Sequence, residues 1–364
     1  MVTAASTLAA GRLKHIDGLR GIAALLVVLF HVVEFSPART ELLEAMGPVA
    51  DLWPYLGAIG VNIFFLLSGF VLFRSLERTR TSAGRFIVRR QLRLDPAYWA
   101  AIGLTLAFSL GKAFIPGLTG GEYSVGDVLV NLVYLQGILD RPFILSVSWT
   151  LCLEVQLYLL LLAVFVAARR ITGTTRTLPV TLLVSGLGAV VLTRAVGHEM
   201  TWVWGPWPLF CVGALLYVGR EDRRWTYAAV GLLVFRVAAT PNVSMIEIAS
   251  LAFALAVLVG WGPLTRALGS SWLTWLGLRS YSLYLFHHFA IDVTTRPIYK
   301  ISPSLGVSAA ASVLAIGTSI LVADVAFRLV ERPSLRLAEA AKGARLVDLL
   351  PRRRPVAALE PRDP

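Results

Sequence analysis

Ten windows of about twenty mostly apolar residues recur along this chain, and that repetition limits its fold more than any other feature. In hydrocarbon every backbone N–H and C=O must be satisfied within the protein, so a lipid-spanning chain forms helices or a closed barrel. A helical span takes about 20 residues. The windows lie near 16–36, 56–76, 95–113, 146–168, 177–196, 204–219, 225–240, 245–261, 272–292 and 305–329. A barrel would instead show alternating segments of about ten residues, which this sequence lacks. Composition agrees. With 56% of residues hydrophobic and 15% charged, and a mean hydropathy of +0.70, the chain has too little polar surface for a soluble globule.

The expected fold is therefore all-α, a polytopic membrane helical bundle of about ten transmembrane helices around a central cavity. Residues 16–337 form the transmembrane domain, 1–15 a short N-terminal segment, and 338–364 a Pro- and Arg-rich tail too polar to bury a core. No small-residue cleavage site follows a short apolar core before the first window, so that span reads as a retained anchor. Residues 114–145 hold no span, and SVGDVLVNLVYLQG reads as a short helix at the surface.

A net charge of +12 invites a nucleic-acid reading, but the placement of the basic residues argues against it. Arg74, Arg78, Arg80, Arg85, Arg89, Arg90 and Arg93 lie between windows two and three, Arg169, Arg170 and Arg176 after window four, and GREDRR after window six. These are alternate connections. The connection after window one carries Glu41, Glu44 and Asp51 against Arg39. The positive-inside rule then predicts a multi-pass protein of the cell (inner) membrane with both termini cytoplasmic, and the lipid bilayer rather than nucleic acid as its partner. Cys152 and Cys211 fall inside spans and set no metal pattern; they are assigned to packing, with no metal expected.

Polar residues inside the spans carry the functional signal. Arg20 and His31 are eleven residues apart, about 16 Å of rise and within roughly 20° of three whole turns, so they share one face of a helix. Arg20 near the boundary is equally well explained by snorkelling to headgroups. His31 lies deeper, where an ionisable group costs a few kcal/mol unless partnered and marks a functional site by default. Arg90 and Arg93 stand three apart at the threshold of window three. Guanidinium forks at that spacing suit phosphate, although charge topology alone also accounts for arginine there. Glu154 sits inside window four and must be protonated or paired; His31 and an arginine are both open as its partner. In SYSLYLFHH, Tyr281, Tyr284 and His288 follow three- and four-residue steps, a stripe that suits a polar acceptor or an interfacial aromatic belt. Ser68, beside Gly69 in FFLLSGF, lacks the strand and elbow of a nucleophile, and the pair reads as a close helix crossing.

Taken in order, Arg20 and His31, FFLLSGF (64–70), RRQLRLDPAYW (89–99), SWTLCLEVQLY (148–158), SYSLYLFHH (280–288) and ERP (331–333) resemble the acyltransferase 3 family of membrane O-acyltransferases over residues 15–333. The resemblance implies transfer of an acyl group, commonly acetyl, from acyl-coenzyme A to a hydroxyl of a carbohydrate, glycolipid or macrolide-like metabolite. By position it makes His31 and Glu154 catalytic, gives Arg20, Arg90 and Arg93 to the donor, and adds His287 to Tyr281 and Tyr284 on the acceptor side. His288 falls outside the family pattern, and Asp95 brings a negative charge near the proposed phosphate contacts. The rival reading is a proton-coupled small-molecule transporter, for which matched halves with broken spans would be expected; none is visible.

Overall fold

The computed structural model describes residues 13–78, 83–113, 122–172, 176–196, 202–240, 245–302 and 304–341, and among them there is no β-strand. The N-terminal segment up to residue 12 and the tail from 342 lie outside the described residues. Fifteen α-helices follow in order: α1 (Lys14–Glu34), α2 (Arg39–Met46), α3 (Trp53–Arg78), α4 (Ala83–Ala113), α5 (Val125–Leu132), α6 (Trp149–Thr172), α7 (Leu178–Val196), α8 (Trp207–Val218), α9 (Arg223–Ala239), α10 (Met245–Val259), α11 (Gly262–Leu268), α12 (Ser271–Leu278), α13 (Ser280–Ile301), α14 (Leu305–Ala326) and α15 (Arg332–Ala340). Every apolar window holds a helix. By length and apolarity alone, five described helical stretches can cross a membrane, or six if the pair Ile248–Val259 and Gly262–Leu268, bent by 93°, counts as one span. The difference from ten arises in part because α8, α9 and α10 are only 12, 17 and 15 residues long.

Helix α1 is the axis of the bundle. It packs against α3, α11, α12 and α13, and Leu19, Ala23, Ala24 and Val28 on it are fully buried. Small residues bring the partners close. A methyl group on Gly69 of α3 would overlap the carbonyl of Phe210, and one on Gly213 of α8 the carbonyl of Leu66. The two glycines thus form a reciprocal crossing in which backbone meets backbone, the packing that small residues permit within lipid. Away from the axis, Val180, Val184 and Val191 on α7 and Val313, Leu314, Leu321 and Val325 on α14 are exposed. Spaced mainly four and seven residues apart, they make outward apolar faces, which in a bilayer face the acyl chains.

The surface helix expected in residues 114–145 is α5. Ser124 caps it, accepting from the backbone N–H of Asp127 while the Asp127 carboxylate accepts from the backbone of Ser124, a reciprocal capping box. The Ser124 hydroxyl also donates to that carboxylate, at 2.7 Å, and this bond together with the one from the Ser124 backbone holds the Asp127 carboxyl below the usual carboxylate range. Fully buried Asn131 then donates to the carbonyls of Asp127 and Pro142 and fixes the irregular segment that leads to α6.

Candidate active site

Helix α4 begins twelve residues before its apolar window, at Ala83, so the arginine run is a helical extension rather than a loop. Arg90 and Arg93 consequently point the same way. They meet Arg20 of α1, Glu154 of α6 and Ser280, Tyr281 and Tyr284 of α13 around one cavity, whose apolar wall comes from α3, including Val61, Phe64 and Phe65. It holds about 830 Å³ of space free of atoms, part of it open to the outside.

Three guanidinium groups and one carboxylate line this cavity. Glu154 pairs with Arg90, so of the two partners left open by the sequence the structure selects the arginine, and His31 is not within its reach of pairing. Arg20 and Arg93 form no ion pair among the described residues, and the buried Nε of Arg20, Nε of Arg90 and Oγ of Ser280 have no hydrogen-bond partner there. A buried polar atom without a partner costs about 1–3 kcal/mol; three of them lining one cavity are suited to a polar, anionic ligand. Asp95, whose charge stood close in sequence, does not line the cavity. It accepts from Tyr134 at 2.9 Å and from Gln91 at 3.1 Å.

His31 lies outside this cavity. Its Nδ1 is 2.9 Å from the carbonyl of Val27 and 3.2 Å from Nε2 of His287, and its ring lies between Phe30, Phe35, His287 and His288. A carbonyl can only accept, so the proton sits on Nδ1 and the lone pair on Nε2. The same reasoning holds for His287, whose Nδ1 donates to the carbonyls of Tyr284 at 2.8 Å and Leu283 at 3.2 Å. Val27, Val147 and Tyr284 form one buried cluster with Val61 and Phe64 packed against it; Val61, Phe64 and Tyr284 line the cavity, and the Val27 carbonyl meets His31. Tyr284 belongs to both sides: it lines the cavity, its ring centroid is 6.0 Å from that of His287, and its hydroxyl is held by the Val147 carbonyl at 3.0 Å and Thr150 at 2.7 Å. The Tyr281 hydroxyl is committed to the carbonyl of Leu94 at 2.9 Å. The structure therefore divides the residues singled out from sequence into two neighbouring groups, Arg20, Arg90, Arg93, Glu154, Tyr281 and Tyr284 in one, His31 and His287 in the other.

Two contributors lie outside the site residues that the family resemblance assigned. Glu331, on a π-helical turn between α14 and α15, is buried and accepts from the backbone N–H of Ser282 at 3.2 Å and from its hydroxyl at 2.6 Å. Helix N-termini carry unsatisfied N–H groups and favour negative charge, so this carboxylate anchors the start of α13 and sets where Tyr281, Tyr284 and His287 stand. Its position just beyond the last apolar window was the available signal. His288 completes the imidazole group, with its Nδ1 3.0 Å from the Ser146 hydroxyl.

An all-α membrane bundle that sets a cationic chamber beside an ordered imidazole pair has the parts of a group-transfer enzyme. The chain belongs to the acyltransferase 3 family, whose sequence model, described as an acyltransferase domain, matches residues 13–324. It is 30% identical to the exopolysaccharide production protein ExoZ of Rhizobium meliloti over 77% of this chain and 90% of that protein. It is also 23% identical to the peptidoglycan O-acetyltransferase OatA of Listeria monocytogenes, over 87% of this chain and 55% of that protein. Acyltransferase MdmB of Streptomyces mycarofaciens is 36% identical over 41% of this chain and 38% of that protein. No solved structure matches significantly. The chain is thus a membrane O-acyltransferase, an enzyme that takes an acyl donor and a hydroxyl acceptor.

Proposed function

We propose that the enzyme moves an acyl group, acetyl in the first instance, from a coenzyme A thioester bound at the arginine cavity to a hydroxyl of a cell-envelope carbohydrate, with His31 as general base. The observation that carries this is the cavity itself, where Arg20 and Arg93 form no ion pair among the described residues and three buried polar atoms have no hydrogen-bond partner there. Phosphate oxygens match guanidinium forks in charge and geometry. Support for a carbohydrate acceptor comes from the relatives, one named for exopolysaccharide production and one for peptidoglycan O-acetylation.

In this mechanism the donor's phosphates rest on Arg20, Arg90 and Arg93, Glu154 holds Arg90 in place, and the flexible thioester arm reaches past Tyr284 towards the imidazoles. Val27 and His287 hold His31 in its Nδ1–H tautomer. Nε2 removes the proton of the acceptor hydroxyl, the oxygen attacks the thioester carbonyl, the carbon–sulfur bond breaks, and the thiolate takes the proton back from His31. General base catalysis of this kind contributes about 10²–10⁴-fold. Glu154, reached only through Arg90, acts here on donor binding rather than on the proton. With both termini cytoplasmic, the arginine cavity takes donor from the cytosol and the imidazole end faces an acceptor outside.

The test is purified protein incubated with radiolabelled acetyl-coenzyme A and candidate glycans. Labelled product is expected with the wild type and none with His31→Ala of normal yield and melting temperature. Normal turnover in that variant would remove His31 from the mechanism, and glycan flux through vesicles with no labelled product would return the transporter reading.

A further inference from the structure

Outside the cavity the structure gathers His31 from α1 and His287 and His288 from α13, each with one ring nitrogen within 4.8 Å of the others'. Their ring centroids lie 4.4–5.0 Å apart. The hydrogen bonds around His287 leave a lone pair turned towards His31. His287 is fully buried, and because its Nδ1–H is spent on two carbonyls, its Nε2 carries a lone pair. His288 binds Ser146 through Nδ1, and its Nε2 is buried with no partner. Protons alone satisfy this set poorly, since each imidazole that gained one would be a cation pressed against two neighbours.

We propose that His31, His287 and His288 form a binding site for a single divalent transition-metal ion of the zinc class, with a fourth coordination position open. Three imidazoles and no carboxylate suit borderline-soft ions and exclude calcium and magnesium, which take oxygen ligands. The 3.2 Å between His31 Nδ1 and His287 Nε2 matches the edge, about 3.3 Å, of a tetrahedron with zinc–nitrogen bonds of ~2.0–2.1 Å. His288, which is not fully buried, closes the remaining distance by rotation of its side chain. The outer hydrogen bonds that orient metal-bound imidazoles are already in place: the Tyr284 and Leu283 carbonyls hold the far nitrogen of His287, and the Ser146 hydroxyl that of His288. Binding through Nδ1 moves the His31 proton to Nε2 and breaks its bond to Val27. If the catalytic reading above holds, the bound ion removes the base and inhibits acyl transfer.

The experiment uses full-length protein in detergent, stripped with chelator and titrated with Co²⁺, followed by displacement with Zn²⁺. Expected are a visible absorption band of a nitrogen-rich tetrahedral site, one ion per chain by elemental analysis, and at least tenfold weaker binding in His288→Ala, whose melting temperature checks the fold. His287→Asn provides a second variant of similar size, with the same expected loss. Absence of the band in the wild type, or equal affinity in both variants, overturns the site. Should the wild type bind Co²⁺ while His31→Ala keeps its turnover, the metal site stands and only the base assignment falls. Should the wild type not bind while His31→Ala is inactive, the reverse holds.

Discussion

Arg20 and His31 share one face of α1, yet Arg20 lines the cavity and His31 does not. They are about 16 Å apart along the helix, and Tyr284 adjoins both the cavity and the ring of His287. At the donor end, replacement of both Arg90 and Arg93 by Gln should raise KM for the coenzyme A thioester more than it lowers kcat, because the lost contacts bind ground state and transition state alike. Steady-state kinetics across donor concentration check this; equal rates at low donor count against a phosphate role. Glu154→Gln should follow the same pattern, a KM effect, since Glu154 touches Arg90 and not the imidazoles. A fall confined to kcat would return Glu154 to the proton-transfer step. The residue identities were legible in sequence for all of these, but Glu154's partner was not, since the choice between His31 and an arginine depends on which helix α6 packs beside.

At the scale of elements, two joints hold the site. The α3–α8 crossing depends on Gly69 and Gly213 lying backbone to backbone, so Gly69→Val should separate the helices and lower the melting temperature in detergent. Gly103→Val, on a part of α4 where an added side chain meets open space, should change it little. The other joint is the start of α13. Arg279 donates to Asp324 at 2.5 Å while its guanidinium lies 4.0 Å from the centre of the Trp275 ring, and Glu331 accepts from Ser282 on the next turn. Glu331→Ala leaves two buried donors of Ser282 unpaired, which should cost about 1–3 kcal/mol and reduce turnover by shifting Tyr284 and His287; thermal unfolding and activity measured together check it. The helices themselves were readable as apolar windows. The joints were not, because a glycine or a carboxylate near a helix end states no partner until a second helix is placed.

For the whole molecule, the arrangement of charge across alternate connections predicts a vectorial enzyme. A membrane-impermeant maleimide applied to intact cells should label Thr40→Cys on the exposed part of α2 and leave Arg170→Cys at the end of α6 unlabelled until the cells are opened; the opposite result would invert the orientation. Sequence alone determined that this chain is an all-α membrane protein, which polar residues its spans carry, and the family it resembles, because lipid admits so few backbone solutions and because charged groups at depth are too costly to be incidental. Only the tertiary structure decided that the arginines and the imidazoles form two groups that both adjoin Tyr284, and that His288, 257 residues from His31, completes a three-nitrogen cluster. Those outcomes depend on helix rotation and crossing, which residues far apart in the chain fix together through packing and which no local pattern encodes.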